Sequence, residues 1–142
     1  MIDYAERHGF HFDTVQMPIN VMDAHFRSFQ HEVIPVANAK GIGVLAMKTF
    51  AFGAIFKANV ADPIEMLHYS MSLPVSVVIT GMDTMPRLEQ ALSAARTFKP
   101  MTQAQVADLL ARTKDAAADG KYELFKTSPS FDGTTRNPDW LA

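Results

Sequence analysis

No cysteine occurs among the 142 residues. That excludes disulfides, thiolate nucleophiles and cysteine-held metal clusters. It leaves the redox compartment open, with the cytoplasm the expected one. Neither sign of charge prevails: 13 Lys and Arg stand against 15 Asp and Glu, a formal net charge of −2. A chain so balanced offers no basic field for nucleic acid phosphates and no polybasic patch for a membrane surface. No apolar run approaches the roughly 18 residues a membrane span needs. The opening "MIDYAERHGF" is mixed and charged, which is not the pattern of a signal peptide. Of the five histidines, His8 and His11 straddle Gly9, and His25, His31 and His68 lack partners at ligand spacing, so no metal site is expected. No Ser-His-Asp arrangement can be assigned either.

What is present is ordinary for a soluble globular protein: 48% hydrophobic and 20% charged residues, in a chain long enough for one domain with a core. Three short apolar runs recur, each followed by a loop and then a helical pattern. They are "FDTVQMPIN" (Phe12–Asn20), "GIGVLAMKTF" (Gly41–Phe50) and "VSVVITGMD" (Val75–Asp83), and their starts lie about thirty residues apart. Strands alternating with helices at this spacing specify a parallel sheet with helices against it. Ligands then gather at the C-terminal ends of the strands. Here those ends are Gln16 and Asn20, then Met47 to Gly53, then Thr80 to Arg87.

Residues 2–8 read as helix with Gly9 as its stop, an entry into a fold partway through. Strand one carries Thr14 and Gln16 on one face and Val15 and Met17 on the other, until Pro18 ends its ladder. Asp23 is placed to cap a helix running to about Lys40, with a break near Glu32–Val33 because Pro35 lies inside it. "GIGVLA" matches the dinucleotide fingerprint in letters only. Its glycines precede a strand, whereas the fingerprint needs them after one. "DPIE" at Asp62–Glu65 is a helix start: Asp62 caps, Pro63 takes the first position and Glu65 completes a reciprocal pair. The β-branched run Val75–Ile79 suits a strand buried on both faces. A helix follows from Asp83 or Thr84 to about Thr97. Another opens at the Thr102/Gln105 capping box, reaches about Ala118 and stops at Gly120. The expected organisation is a β/α portion over residues 1–118 and a tail over 119–142, anchored by Tyr122, Leu124, Phe125 and Trp140.

Three strand ends supply the candidate chemistry. Gln16 offers an amide that can read a planar carboxamide, or it is a buried glutamine satisfied by backbone groups. Lys48 in an enclosed pocket acts as nucleophile or base, or it is salt-bridged or solvated. Met47 and Phe50 pack, and Gly53 allows close backbone approach. In "TGMDTMPRLEQ" (Thr80–Gln90), N–H groups open a helix beside Gly81, an anion site. Arg87 on its first turn either forks around a phosphate or pairs with Asp83.

The stretches "FDTVQMPIN", "GIGVLAMKTFAFG" and "SLPVSVVITGMDTMPRLEQAL" together resemble the sixth, seventh and eighth barrel strands of an aldo/keto reductase. The match runs from about Asp3 to Phe98, and the helix after it is consistent. The resemblance implies the C-terminal portion of an eight-stranded TIM-type (β/α) barrel that uses NADP(H) to reduce carbonyls. Gln16 then matches the glutamine that holds the nicotinamide carboxamide. Met47 stands where many members place a stacking tyrosine. Lys48, Thr49 and Phe50 replace the common Ser-Pro-Leu, and Gly53 is retained. Gly81 and Met82 occupy the loop that contacts the adenosine phosphate, Met82 replacing a common serine. Arg87 matches the arginine that meets the 2′-phosphate or the adenine. Gln90 and Ala91 stand where a glutamate and an asparagine are common.

The family's catalytic Asp, Tyr, Lys and His lie on strands outside this match, so no residue here is assigned a catalytic role. The expectation is therefore a cofactor-holding part of a reductase, inactive alone and prone to self-association through open strand edges. A carbonyl substrate would be met only in the complete enzyme. Two other readings stay open. One is a barrel enzyme using Lys48 as a Schiff-base nucleophile. The other is a non-catalytic nucleotide-binding or docking module.

Overall fold

The computed structural model describes residues 1–131 and 133–141, the side chains at 134, 135, 140 and 141 excepted. It is an α/β arrangement with one three-stranded, all-parallel, open sheet. Helix α1 (Ile2–Arg7) ends at Gly9, which takes a left-handed φ of 71°. Strand β1 (Thr14–Pro18) follows.

The helical stretch expected from Asp23 to Lys40 is divided. A 3₁₀ turn at Asp23–His25 precedes α2 (Phe29–Glu32) and α3 (Ile34–Ala39). The break falls at Val33, where the Pro35 ring and its missing N–H interrupt a continuous ladder. Asp23 therefore does not cap a helix of its own. Its carboxylate reaches forward to the N–H groups of Phe29 and Gln30 at the start of α2, and Ser28 caps that helix through the N–H of His31.

Gly41, at φ 68°, turns the chain into β2 (Gly43–Met47). A 3₁₀ segment over Ala51–Ala58 carries a left-handed kink at Phe52 and Gly53. Helix α4 (Pro63–Ser72) starts as expected, with the Asp62 carboxylate accepting from the N–H groups of Ile64 and Glu65. Glu65 does not complete the reciprocal pair. Its carboxylate is taken by Arg112, which also holds Asp108.

Strand β3 (Val77–Val78) is shorter than the expected Val75–Ile79, and it is not buried on both faces. Val77 is 48% exposed and Ile79 39%. Helix α5 (Met85–Thr97) and helix α6 (Gln103–Ala117) complete the larger elements, and α6 carries the full Thr102/Gln105 capping box. Short turns follow at α7 (Leu124–Thr127), Pro129–Phe131, α8 (Gly133–Arg136) and Pro138–Leu141.

The strands lie in chain order, β1-β2-β3. Gln16 stands opposite Leu45, and Leu45 opposite Val77. Right-handed crossovers without a reversal of order put the connecting helices on one face of a sheet. Burial follows that rule. Met17, Val44 and Ala46 are buried against Ile34, Ala37 and Ile42. Thr14, Gln16 and Val77, on the alternate positions, are exposed. This bare face and the absence of a fourth strand among the described residues explain why an apolar run such as Val75–Ile79 remains partly in water.

A second cluster lies beyond the strand ends, where Met22, Ile55, Met66, Tyr69 and Leu109 are fully enclosed. Burial pushes the Tyr69 phenol up to about 12, and its O–H donates to Gln30 Oε1 at 2.6 Å. Tyr122 and Phe125 of the tail pack on this cluster as expected, but Leu124 is 52% exposed. The fourth expected anchor, Trp140, lies outside the described side chains.

Candidate functional site

The C-terminal ends of the three strands open into one cleft of about 580 Å³. Gln16 supplies one wall from β1. Met47 to Phe50, with Gly53, supply the second from the end of β2 and the loop after it. Gly81, Arg87 and Gln90 come from the loop after β3 and the first turns of α5. Nine of the ten residues singled out in the sequence for cofactor contact thus share one cleft, because parallel strands in register bring their ends to one side. The tenth, Met82, is turned away. It is 55% exposed and lines a separate apolar groove between β3 and α5.

The side chains along the cleft differ in how they are held. Gln16 is exposed rather than buried, so its amide is free to meet a ligand. Thr49 is buried, and its hydroxyl donates to Thr80 Oγ1 at 3.3 Å, joining the ends of β2 and β3. Lys48 adopts a left-handed φ of 56°, and its ammonium sits 3.3 Å from the centre of the Phe52 ring. The negative face of an aromatic ring attracts a cation at this distance. No carboxylate among the described residues lies in salt-bridge range of Lys48. Gly53, at φ 83°, is required by its backbone rather than by crowding, since a Cβ there would meet only Phe56 at 3.8 Å. Gly81 is the opposite case: a Cβ would meet nothing within 4 Å, so the space beside it is open.

Of the two roles left open for Arg87, pairing is the one seen. Its Nη1 donates to both oxygens of Asp83, at 2.6 and 2.7 Å, and the guanidinium holds the Asp83 carboxyl below the usual carboxylate range. Both side chains are more than half exposed, and ion pairs of this kind contribute little and exchange readily. Thr84 caps α5 without a side-chain hydrogen bond, and Pro86 in the first turn carries no N–H of its own.

One group of functional interest was not singled out in the sequence. Asp23, Glu123 and Lys126 are buried together. The Lys126 ammonium donates to Asp23 Oδ1 at 2.6 Å, to the Phe26 carbonyl at 2.8 Å and to Glu123 Oε2 at 3.0 Å. Glu123 Oε1 accepts from the buried Asn20 amide at 3.1 Å, and the same Nδ2 donates to the Lys48 carbonyl at 3.3 Å. Burial, the largest influence, pushes the Glu123 carboxyl above its ordinary range despite the Lys126 ammonium. The only signal in the sequence is the Glu123/Lys126 spacing of three, interleaved with the anchors Tyr122, Leu124 and Phe125, which reads equally well as a solvated pair. Two of the five histidines have structural partners: His25 meets the Thr113 hydroxyl at 2.9 Å, and His68 the Ala94 carbonyl at 3.0 Å.

No protein-family model matches the chain, and no curated protein matches it.

Proposed function

We propose that the cleft binds NADP(H) and that this chain is the cofactor-holding part of an aldo/keto-reductase-like β/α barrel. One observation carries the reading. Nine residues chosen for their likeness to that family's cofactor contacts line a single cleft at the strand ends. The strand order β1-β2-β3, with one covered and one bare face, is also the order of consecutive strands in a barrel wall. The cleft volume is within the ~300–1,000 Å³ range of ligand sites.

The residues fit the group in chemical terms. The free Gln16 amide offers both donors and an acceptor to a carboxamide. The open space at Gly81 and the N–H groups at the start of α5 suit a phosphate. Arg87 reaches that phosphate by giving up Asp83 for it, which a doubly charged anion at a helix N-terminus favours. When bound, NADP(H) supplies the hydride. The chain's own residues bind and orient it, and none is assigned the proton transfer to the carbonyl oxygen.

The test is titration of the chain with NADPH and NADH, followed by nicotinamide fluorescence. NADPH is expected to bind more tightly. Gly81→Ala fills space that the fold leaves empty, so it is expected to weaken NADPH binding without altering the melting temperature. Arg87→Ala is expected to weaken NADPH about tenfold or more and to leave NADH nearly unchanged, since charge-assisted bonds to the 2′-phosphate are lost. No NADPH oxidation is expected with a panel of aldehydes, because a positioned proton donor alone contributes roughly 10²–10⁴-fold. Absence of NADPH binding, or equal losses for both cofactors in Arg87→Ala, overturns the reading.

A further inference from the structure

The tail touches the cleft from behind. Asn20 is the joint. Its Oδ1 accepts from the N–H groups of Met22 and Asp23, at 2.8 and 3.2 Å. Its Nδ2 divides its two hydrogens between the Lys48 carbonyl and Glu123 Oε1. Every hydrogen-bonding position of this fully buried amide is therefore used. The Lys48 carbonyl is also the acceptor for the Ala51 N–H at 2.8 Å, the bond that opens the 3₁₀ turn lining the cleft. Lys48 itself holds a left-handed conformation, at φ 56°, that is unfavourable for a residue with a Cβ. Such a conformation persists only where its surroundings over-determine it. Asn20 is one determinant, and the tail's Glu123 fixes Asn20 in turn.

A second tail contact reaches the same wall. The Phe131 ring lies 5.9 Å from that of Phe52, the ring over which the Lys48 ammonium sits. The tail is anchored well enough to act this way. Lys126 is 2% exposed and uses all three of its hydrogens, and Arg27 donates to the Lys126 carbonyl at 2.9 Å.

We infer that the tail over residues 121–131 is a strap that sets the shape of the cleft wall, with Asn20 and Glu123 as positioning residues for Lys48 and the turn after it. Neither side chain lines the cleft. They act through the Lys48 backbone, and so on the placement of its ammonium beside an anionic ligand. The ligand arm of the test rests on the NADP(H) reading; the other arm does not.

The experiment compares Glu123→Gln, which keeps an acceptor for Asn20, with Glu123→Leu, which removes it. The first readout is amide hydrogen exchange, without ligand, at Ala51 and Gly53, with the amides of α4 as the internal standard. Glu123→Leu is expected to speed exchange at Ala51 and Gly53 about tenfold or more while α4 stays as it was, the signature of local rather than global opening. Glu123→Gln is expected to remain near the unaltered chain. The second readout is NADPH affinity, expected to fall in Glu123→Leu and hold in Glu123→Gln. Unchanged exchange at Ala51 and Gly53, or equal acceleration in α4, overturns the strap. Should Glu123→Leu fail to fold, Phe131→Ala at an exposed position carries the same test, and unchanged exchange at Ala51 and Gly53 again overturns it. If the unaltered chain binds no NADPH, the cofactor reading falls while the exchange readout still decides the strap.

Discussion

β1 meets β2 over five residue pairs, whereas β3 meets β2 over two. The first pair is backed by Ile34, Ala37 and Ile42 and closed at its C-terminal end by the buried Asn20–Glu123–Lys126–Asp23 group. The second has α4 against it and α5 beyond, yet α5 buries only Ala94. Val77, Ile79, Met82, Met85 and Leu92 all stand 39% or more exposed around it. Both strands are apolar in sequence. The difference lies in what covers them. The β1–β2 region carries its own helices and tail, and the β3 edge has apolar side chains and unpaired backbone groups with nothing across from them among the described residues. An edge of that kind invites pairing with another strand.

The comparison is broken most forcefully at Lys126. Lys126→Ala strands two carboxylates in a closed interior, and removing one partner of such a group costs about 3–5 kcal/mol. Denaturant unfolding is expected to show that loss, whereas Lys99→Ala, at an exposed position just beyond α5, leaves the midpoint unchanged. Equal effects at the two positions would mean that the buried group does not hold the tail.

Glycine substitutions sharpen the same contrast. Gly120 has a φ of 68°, and a Cβ there would fall 2.6 Å from the Phe26 ring. Gly120→Ala is expected to destabilise by about 2–3 kcal/mol, from left-handed strain and overpacking together. Gly81→Ala, with open space around it, is expected to leave thermal unfolding unaltered.

At the open edge the expected effect is on association rather than on the fold. The chain is expected to form dimers or larger assemblies, and Ile79→Lys to shift it toward monomer, since an edge lysine opposes strand addition. Light scattering across a concentration series checks this. A monomeric unaltered chain with a cooperative melt would show that the β3 edge needs no cover.

The smallest effect concerns pH. The Glu123 carboxyl titrates higher in the folded chain than its ordinary value of 4.5. The folded state therefore holds that proton more firmly than the unfolded state. The stabilisation from this group is complete below the ordinary carboxylate range and is lost as pH rises through the folded value. Glu123→Gln removes the dependence. The melting temperature of the unaltered chain, measured relative to Glu123→Gln, is expected to improve as pH falls from neutrality toward 4.5. A difference that stays flat, or moves the other way, would show that Lys126 outweighs burial.

Elements with strong local chemistry are legible in the residues alone. Thr102 and Gln105 cap α6 as their spacing requires, Asp62 caps α4, and Gly9, Gly41 and Gly120 stop helices with left-handed backbones. The break at Val33 follows from the Pro35 ring. Candidate cleft residues are legible because parallel strands present their C-terminal ends together. Met82 departs from that expectation because the direction of one loop side chain depends on a turn that residue types do not specify. Glu65 leaves its own helix cap because the competing partner, Arg112, lies 47 residues away, beyond the reach of any local pattern.

By itself the sequence determined the αβ alternation, the parallel sheet and most helix ends, since these follow from periodicity and from hydrogen bonds spanning a few residues. Only the tertiary structure decided which apolar strand would be covered, which partner Arg87 would take and that a glutamate and a lysine in the tail would be buried. Burial and ion pairing depend on groups far apart in the chain, and Asn20 and Glu123, 103 residues apart, share a hydrogen bond that no local pattern encodes.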